Sequence, residues 1–169
     1  MRNKLIAAIT AGIAAAVMAV AGVAYAVTTY RAGGYTTTQY FATSTDAWLV
    51  PTVGTWQTVP AATVPVTISG GTRLIDATFS AESLCTGAGW CSARIVYTGG
   101  SGTVELSPRS GTDYAFDSDG DSWSQHAVER SSATYLPPGT YRVSVQAMRV
   151  SAAQFRLDDY HLHVALVAP

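Results

Sequence analysis

From about Asp46 onward the chain repeats one texture. Short runs of alternating apolar and polar residues recur, each bounded by Gly, Pro or Ser clusters. A period of two is the spacing of a half-buried strand, and no stretch beyond residue 26 carries the 3.6-residue stripe of a helix. The pattern predicts strands near residues 55–59, 63–69, 72–80, 92–98, 103–107, 113–117, 124–130, 139–150 and 154–167. Within 139–150, Tyr141, Val143, Val145 and Ala147 share one face, with Arg142, Ser144 and Gln146 on the other. Within 154–167, Tyr160, Leu162, Val164 and Leu166 oppose Asp159, His161 and His163. Eight or nine short antiparallel strands in one domain predict an all-β fold, an antiparallel β-sandwich of jelly-roll type, after an N-terminal signal helix.

Turn chemistry refines this. Gly70-Gly71 between two alternating runs predicts a two-residue hairpin, and the 98–102 segment (Thr-Gly-Gly-Ser-Gly) a second. Leu136-Pro137-Pro138-Gly139 is a tight lead into a long strand. Here the run Pro137-Pro138-Gly139-Thr140-Tyr141-Arg142-Val143-Ser144-Val145, with a hairpin into the C-terminal strand, resembles the late strands of tumour-necrosis-factor-like jelly rolls. The resemblance implies that architecture, a trimeric homo-oligomer, and a role in binding. It carries no functional residue with it.

The start of the chain reads as an address. Arg2 and Lys4 form a positive n-region, and residues 5–24 are uncharged and rich in Ala, Val and Ile. The stretch closes on Ala24-Tyr25-Ala26, so residues 1–26 are expected to be a cleaved secretory signal peptide. The rival is an uncleaved anchor, since twenty residues just span a bilayer. The Ala-dominated stretch and the lack of a positive cluster behind it favour cleavage, a secreted protein, and no stable membrane insertion afterwards. Residues 27–45, with Thr36-Thr37-Thr38 and no clear alternation, read as a flexible N-terminal arm or an edge segment, leaving 46–169 as the sandwich domain.

Composition narrows the partners. Charged residues are 12% of the chain, about half the usual share. Without the signal, eight basic residues, all Arg, face eleven acids, a formal charge of −3. Nucleic acid and anionic surfaces are therefore excluded as partners. Cys85 and Cys91 are the only cysteines. In an exported chain such a pair reads as a structural disulfide.

Candidate chemistry is sparse. Asp117, Asp119 and Asp121 at i, i+2, i+4, with Gly120 between, can curl oxygens around calcium, the one cofactor the sequence suggests. Ser122 stands where a calcium loop needs Gly, and Glu129 falls one place late, so the site would be weak or simply a turn. His161 and His163 share a face but need a third ligand for a metal centre, and His126 is the remaining histidine. No nucleophile elbow exists: Gly99-Gly100-Ser101-Gly102-Thr103 ends in Thr with no helix behind it. The carboxylates Asp76, Glu82, Glu105 and Asp113 could pair for glycoside hydrolysis, but the sequence does not bring any two together. Among the aromatics, Trp90 in the cysteine loop, Trp123 beside the acidic loop, and Tyr114 are the candidate binding residues, with both tryptophans expected exposed. The sequence thus points to a secreted, non-enzymatic module binding a glycan or a protein outside the cell. An oligomeric assembly protein is the second reading and a small hydrolase the third. An aromatic patch by polar groups would favour the first, a broad apolar face the second, and a buried Asp–His pair beside a Ser the third.

Overall fold

The computed structural model describes residues 34–111, 114–118, 120 and 122–169. The expected signal peptide (1–26), Asp113, Asp119 and Asp121 lie outside the described residues. Among those described, two antiparallel sheets pack face to face as a β-sandwich, and no helix is present.

The first sheet, sheet A, contains β1 (Thr36–Ser44), β10 (Gln154–Val167), β4 (Leu74–Thr86) and β8 (Ser124–Ser131) in that spatial order, with the two-residue β2 (Trp48–Leu49) also on β10. Sheet B runs β3 (Gln57–Ile68), β9 (Gly139–Val150), β5 (Trp90–Gly99), β6 (Gly102–Glu105), with β7 (Asp117–Ser118) beside β5. Alternation sets the interior. From β10, Tyr160, Leu162, Val164 and Leu166 are buried against Val143, Val145 and Ala147 of β9, with Ile75, Ala77 and Phe79 of β4 and Ala93 and Ile95 of β5. These are the faces that the period-two pattern assigns to β9 and β10. Phe79 lies at the middle, its ring 5.9 Å from that of Phe116 and 6.2 Å from that of Tyr160.

Several details differ from the sequence reading. Residues 55–59 and 63–69 are not two strands but parts of one, β3, interrupted by a bulge where Ala61 takes φ 55°. Of the described residues in the expected 113–117 strand only Asp117 is in one, as the first residue of β7. Of the two readings for the segment before Asp46, Thr36–Ser44 shows the edge strand, because β10 offers it a full antiparallel partner. Gly70-Gly71 does turn the chain, with Gly71 at φ 62°, but β3 and β4 lie in different sheets and do not pair. The same holds for the β9–β10 connection. Both crossings close the sandwich rather than form hairpins. The 99–102 turn is a true hairpin, joining β5 to β6.

Cys85 and Cys91 are bonded, with Cα atoms 6.0 Å apart, and tie β4 in one sheet to β5 in the other. The short loop between them needs Gly89: its φ is 119°, and a Cβ there would lie 2.2 Å from the Val150 carbonyl oxygen. Phe116 and Gly120 close the same end of the sandwich. Phe116 N–H donates to the Cys91 carbonyl at 2.8 Å and Gly120 N–H to the Cys85 carbonyl at 2.9 Å.

Candidate functional site

The outward face of sheet A has no second layer among the described residues. Strand register arranges its side chains in rows about 7 Å apart, the rise of two residues. At the disulfide end Leu49, Arg156 and Leu84 lie abreast, and Trp123 joins them with the Arg156 guanidinium over its ring, 5.5 Å from the centroid. The next row is Asp158, Glu82 and Gln125. Three further rows follow: Thr43, His161, Ser80 and Ala127, then Phe41, His163, Thr78 and Glu129, then Gln39, Ala165, Asp76 and Ser131. Trp123 and Phe41 therefore stand at opposite ends of a hydroxyl- and carboxylate-lined floor. Six residues of β4 separate their rows, about 20 Å.

The two aromatic ends differ in kind. Trp123 is 39% exposed, and with Arg156 over one face of its ring the exposed surface belongs to the rest of the indole. Phe41 is 58% exposed, but its ring is stacked at 5.7 Å and 4.9 Å against His161 and His163. Those imidazoles are 7° from parallel. Ring lone pairs lie in the ring plane, so parallel rings 6.5 Å apart cannot converge on one metal ion as they stand. His163 Nε2 is instead 3.2 Å from Gln39 Oε1. No group of three His, Cys, Asp or Glu among the described residues is placed to hold a metal.

Asp76 is the perturbed acid of this face. Burial raises its pKa, the charge of Glu129 adds to the rise, and the Ala77 backbone N–H and His163 pull the other way. A raised folded-state pKa means that ionised Asp76 is less favourable in the sandwich than in the unfolded chain. Its contribution to stability is complete below the ordinary carboxylate pKa and is lost as pH rises through the higher folded value. The Asp76→Asn variant, uncharged throughout, is therefore expected to melt higher than the wild type at neutral pH, with the gap closing in acid. Melting curves of both proteins across that pH window check it, and a gap independent of pH would refute it.

A second polar cluster runs from the interior to the surface. Asp117 is 7% exposed; Ser83 Oγ donates to its Oδ2 at 2.6 Å, and its Oδ1 is 3.6 Å from His126 Nε2. Ser124 Oγ is 2.7 Å from the same nitrogen. β7 places Asp117 opposite Cys91, which turns its carboxylate inward to Ser83 of β4 and away from the loop expected to curl around calcium. The other two oxygen donors of that expectation, Asp119 and Asp121, are outside the described residues.

The remaining predicted binding residues are dispersed. Trp90 is half-buried rather than exposed, because as the first residue of β5 it is held between Ser118 and Ser151, and its Nε1 is closed off from solvent. Tyr114 packs against the core with the Arg130 guanidinium over its ring. Glu105 binds Arg94 at 3.4 Å on the outer face of sheet B, where Arg94 also covers Trp56, so it makes no catalytic pair with Glu82 or Asp76 on sheet A. Phe41 and Gln39 were missed because their segment lacks the alternation that marks a strand. No protein family model matches this chain, and no curated protein matches it.

Proposed function

We propose that the protein is a secreted, non-enzymatic binding module of jelly-roll type, and that the outer face of sheet A takes an uncharged polysaccharide outside the cell. The observation that carries this reading is Trp123, a partly open indole backed by Arg156, beside the Asp158–Glu82–Gln125 row. A flat aromatic stacks on a sugar ring with little loss of entropy, and carboxylates and amides accept its hydroxyl protons. The carboxylates of Asp76, Glu82, Glu129 and Asp158 on this face repel anionic polymers. Polar groups interleave the aromatics, which favours a ligand-binding face over the broad apolar patch of an assembly surface. The spatial orders β1-β10-β4-β8 and β3-β9-β5-β6 support the jelly-roll reading, since the chain's first and last long strands lie side by side.

Affinity electrophoresis against neutral soluble polysaccharides tests the proposal. Retardation is expected, and Trp123→Ala should weaken it about tenfold or more while leaving the melting temperature unchanged. Equal retardation of wild type and Trp123→Ala would move the site elsewhere.

The hydrolase reading rests on the buried Asp117, the half-buried His126 and the exposed Ser124. In a working triad the acid and the nucleophile occupy the two different ring nitrogens. Here both face Nε2, so no proton path runs from Ser124 through the ring to Asp117. Labelling of Ser124 by a fluorophosphonate would restore that reading.

A further inference from the structure

Among the described residues four strands longer than two residues end the two sheets, and three of these edges are blunted. β3 carries Pro60, Pro65 and the bulge at Ala61. β6 is four residues long. β8 bears Glu129 and Arg130, and its end is capped by reciprocal backbone bonds between Ser107 and Ser131. Prolines, charges, bulges and short length are the devices that keep sheet edges from pairing with other chains. The fourth edge, β1, reads Thr-Thr-Thr-Gln-Tyr-Phe-Ala-Thr-Ser, with no charge, proline or glycine. Its one irregularity lies between Thr36 and Thr38, and Thr38 to Ser44 run in unbroken register with β10. Among the described residues nothing pairs with its outer side.

We propose that β1 is the edge through which two copies of this chain join, antiparallel about a two-fold axis at Phe41, so that two A sheets become one continuous sheet. An antiparallel edge is self-complementary under a two-fold axis. Centring the axis on Phe41 sets each of these rings opposite its symmetry mate. It also sets Gln39 opposite Thr43, Thr38 opposite Ser44 and Tyr40 opposite Ala42. A 58% exposed Phe41 is thereby covered, and the His163–Phe41 stack continues across the axis. Cross-strand aromatic pairs stabilise a sheet directly.

Charge argues for a second copy as the occupant. The exported chain has a formal charge of −3, so self-association needs a contact free of facing carboxylates. Across this axis Thr38 to Ser44 meet only one another, and Asp46, just beyond β1, falls opposite Thr36, so no carboxylate faces another. Asp76 and its mate, each on a β4 strand, are five strand spacings apart, about 24 Å, beyond the ~8 Å screening length of physiological salt. The remaining ionisable groups of the outer face next to β1 are His161 and His163, with Glu129 one strand beyond β4. The dimer does not depend on the polysaccharide reading, because Trp123 is at the far end of the face.

Sedimentation equilibrium of the exported chain from micromolar to millimolar concentration tests the proposal, with a reversible dimer expected. Phe41→Lys sets two ammonium groups opposite each other and should weaken association about tenfold or more. Ala127→Lys, on the same face but away from β1, should leave it unchanged, as should Trp123→Ala. Oxidation of Phe41→Cys should give an interchain bridge, and oxidation of Ala127→Cys should not. If Phe41→Lys fails to fold, this crosslink comparison decides alone. A chain that stays monomeric, a trimer, or a dimer indifferent to Phe41→Lys overturns the proposal.

Discussion

Replacing Phe79 by alanine is expected to destabilise the protein by about 3–5 kcal/mol, the cost of emptying a large, fully buried aromatic site. Phe79 is 0% exposed and stands between Phe116 and Tyr160. Phe116 in turn meets Phe155 at 6.4 Å and His126 at 5.6 Å. Strands β4, β8 and β10 hold four of these rings and Phe116 immediately precedes β7, so they cannot collapse into the space without moving backbone. Domains of this size are stable by only about 5–15 kcal/mol, so the loss is a large share of the total. The urea midpoint should fall sharply with an unchanged slope, and the melting temperature by roughly 10–15 °C. A loss under about 1 kcal/mol would mean that Phe79 is not the centre of the core.

Removing the Cys85–Cys91 bond should have the next largest effect. A double Cys→Ala variant is expected to lose about 2 kcal/mol, the chain-entropy estimate for so short a loop. The double Cys→Ser variant should lose a further ~1–3 kcal/mol, because the sites are 1% and 0% exposed and would bury hydroxyls without assured partners. Urea unfolding of the three proteins reads both differences. The bond also anchors the 116–120 segment through the carbonyls of both cysteines, so hydrogen exchange should quicken at Gly120 in either variant. Two titratable thiols in the protein purified under oxidising conditions would remove the premise.

What the sequence revealed was periodic. In β9 and β10 the alternation put Val143, Val145, Leu162 and Val164 on the inner face, where they are buried. It could not say which strand pairs with which, since a turn such as Gly70-Gly71 serves a hairpin or a crossing between sheets equally well. β1 escaped notice because an edge strand buries little, so its outward and inward positions need not differ in polarity. Only Tyr40 and Ala42 of that strand pack against the core. The outer face assembled around Trp123 was hidden for the same reason: Leu49, Leu84, Trp123 and Arg156 are far apart along the chain and meet only through register. Of the acidic loop, Asp117 turned inward because its backbone lies beside Cys91, a contact no local spacing records.

The position of β10 has a temporal meaning. It follows every other described strand along the chain, yet it lies at the interior of sheet A, between β1 and β4. Until it arrives, β1 and β2 have no partner, and β4 has only β8. The sandwich therefore cannot be completed stepwise from its N-terminus. Contacts between strands so distant in sequence form late and slowly. A chain emerging N-terminus first therefore keeps β1, β2 and one edge of β4 unpaired until β10 has followed them. A chain cut before Gln154 would leave β1 with no partner strand and open the edge of β4 that β10 covers.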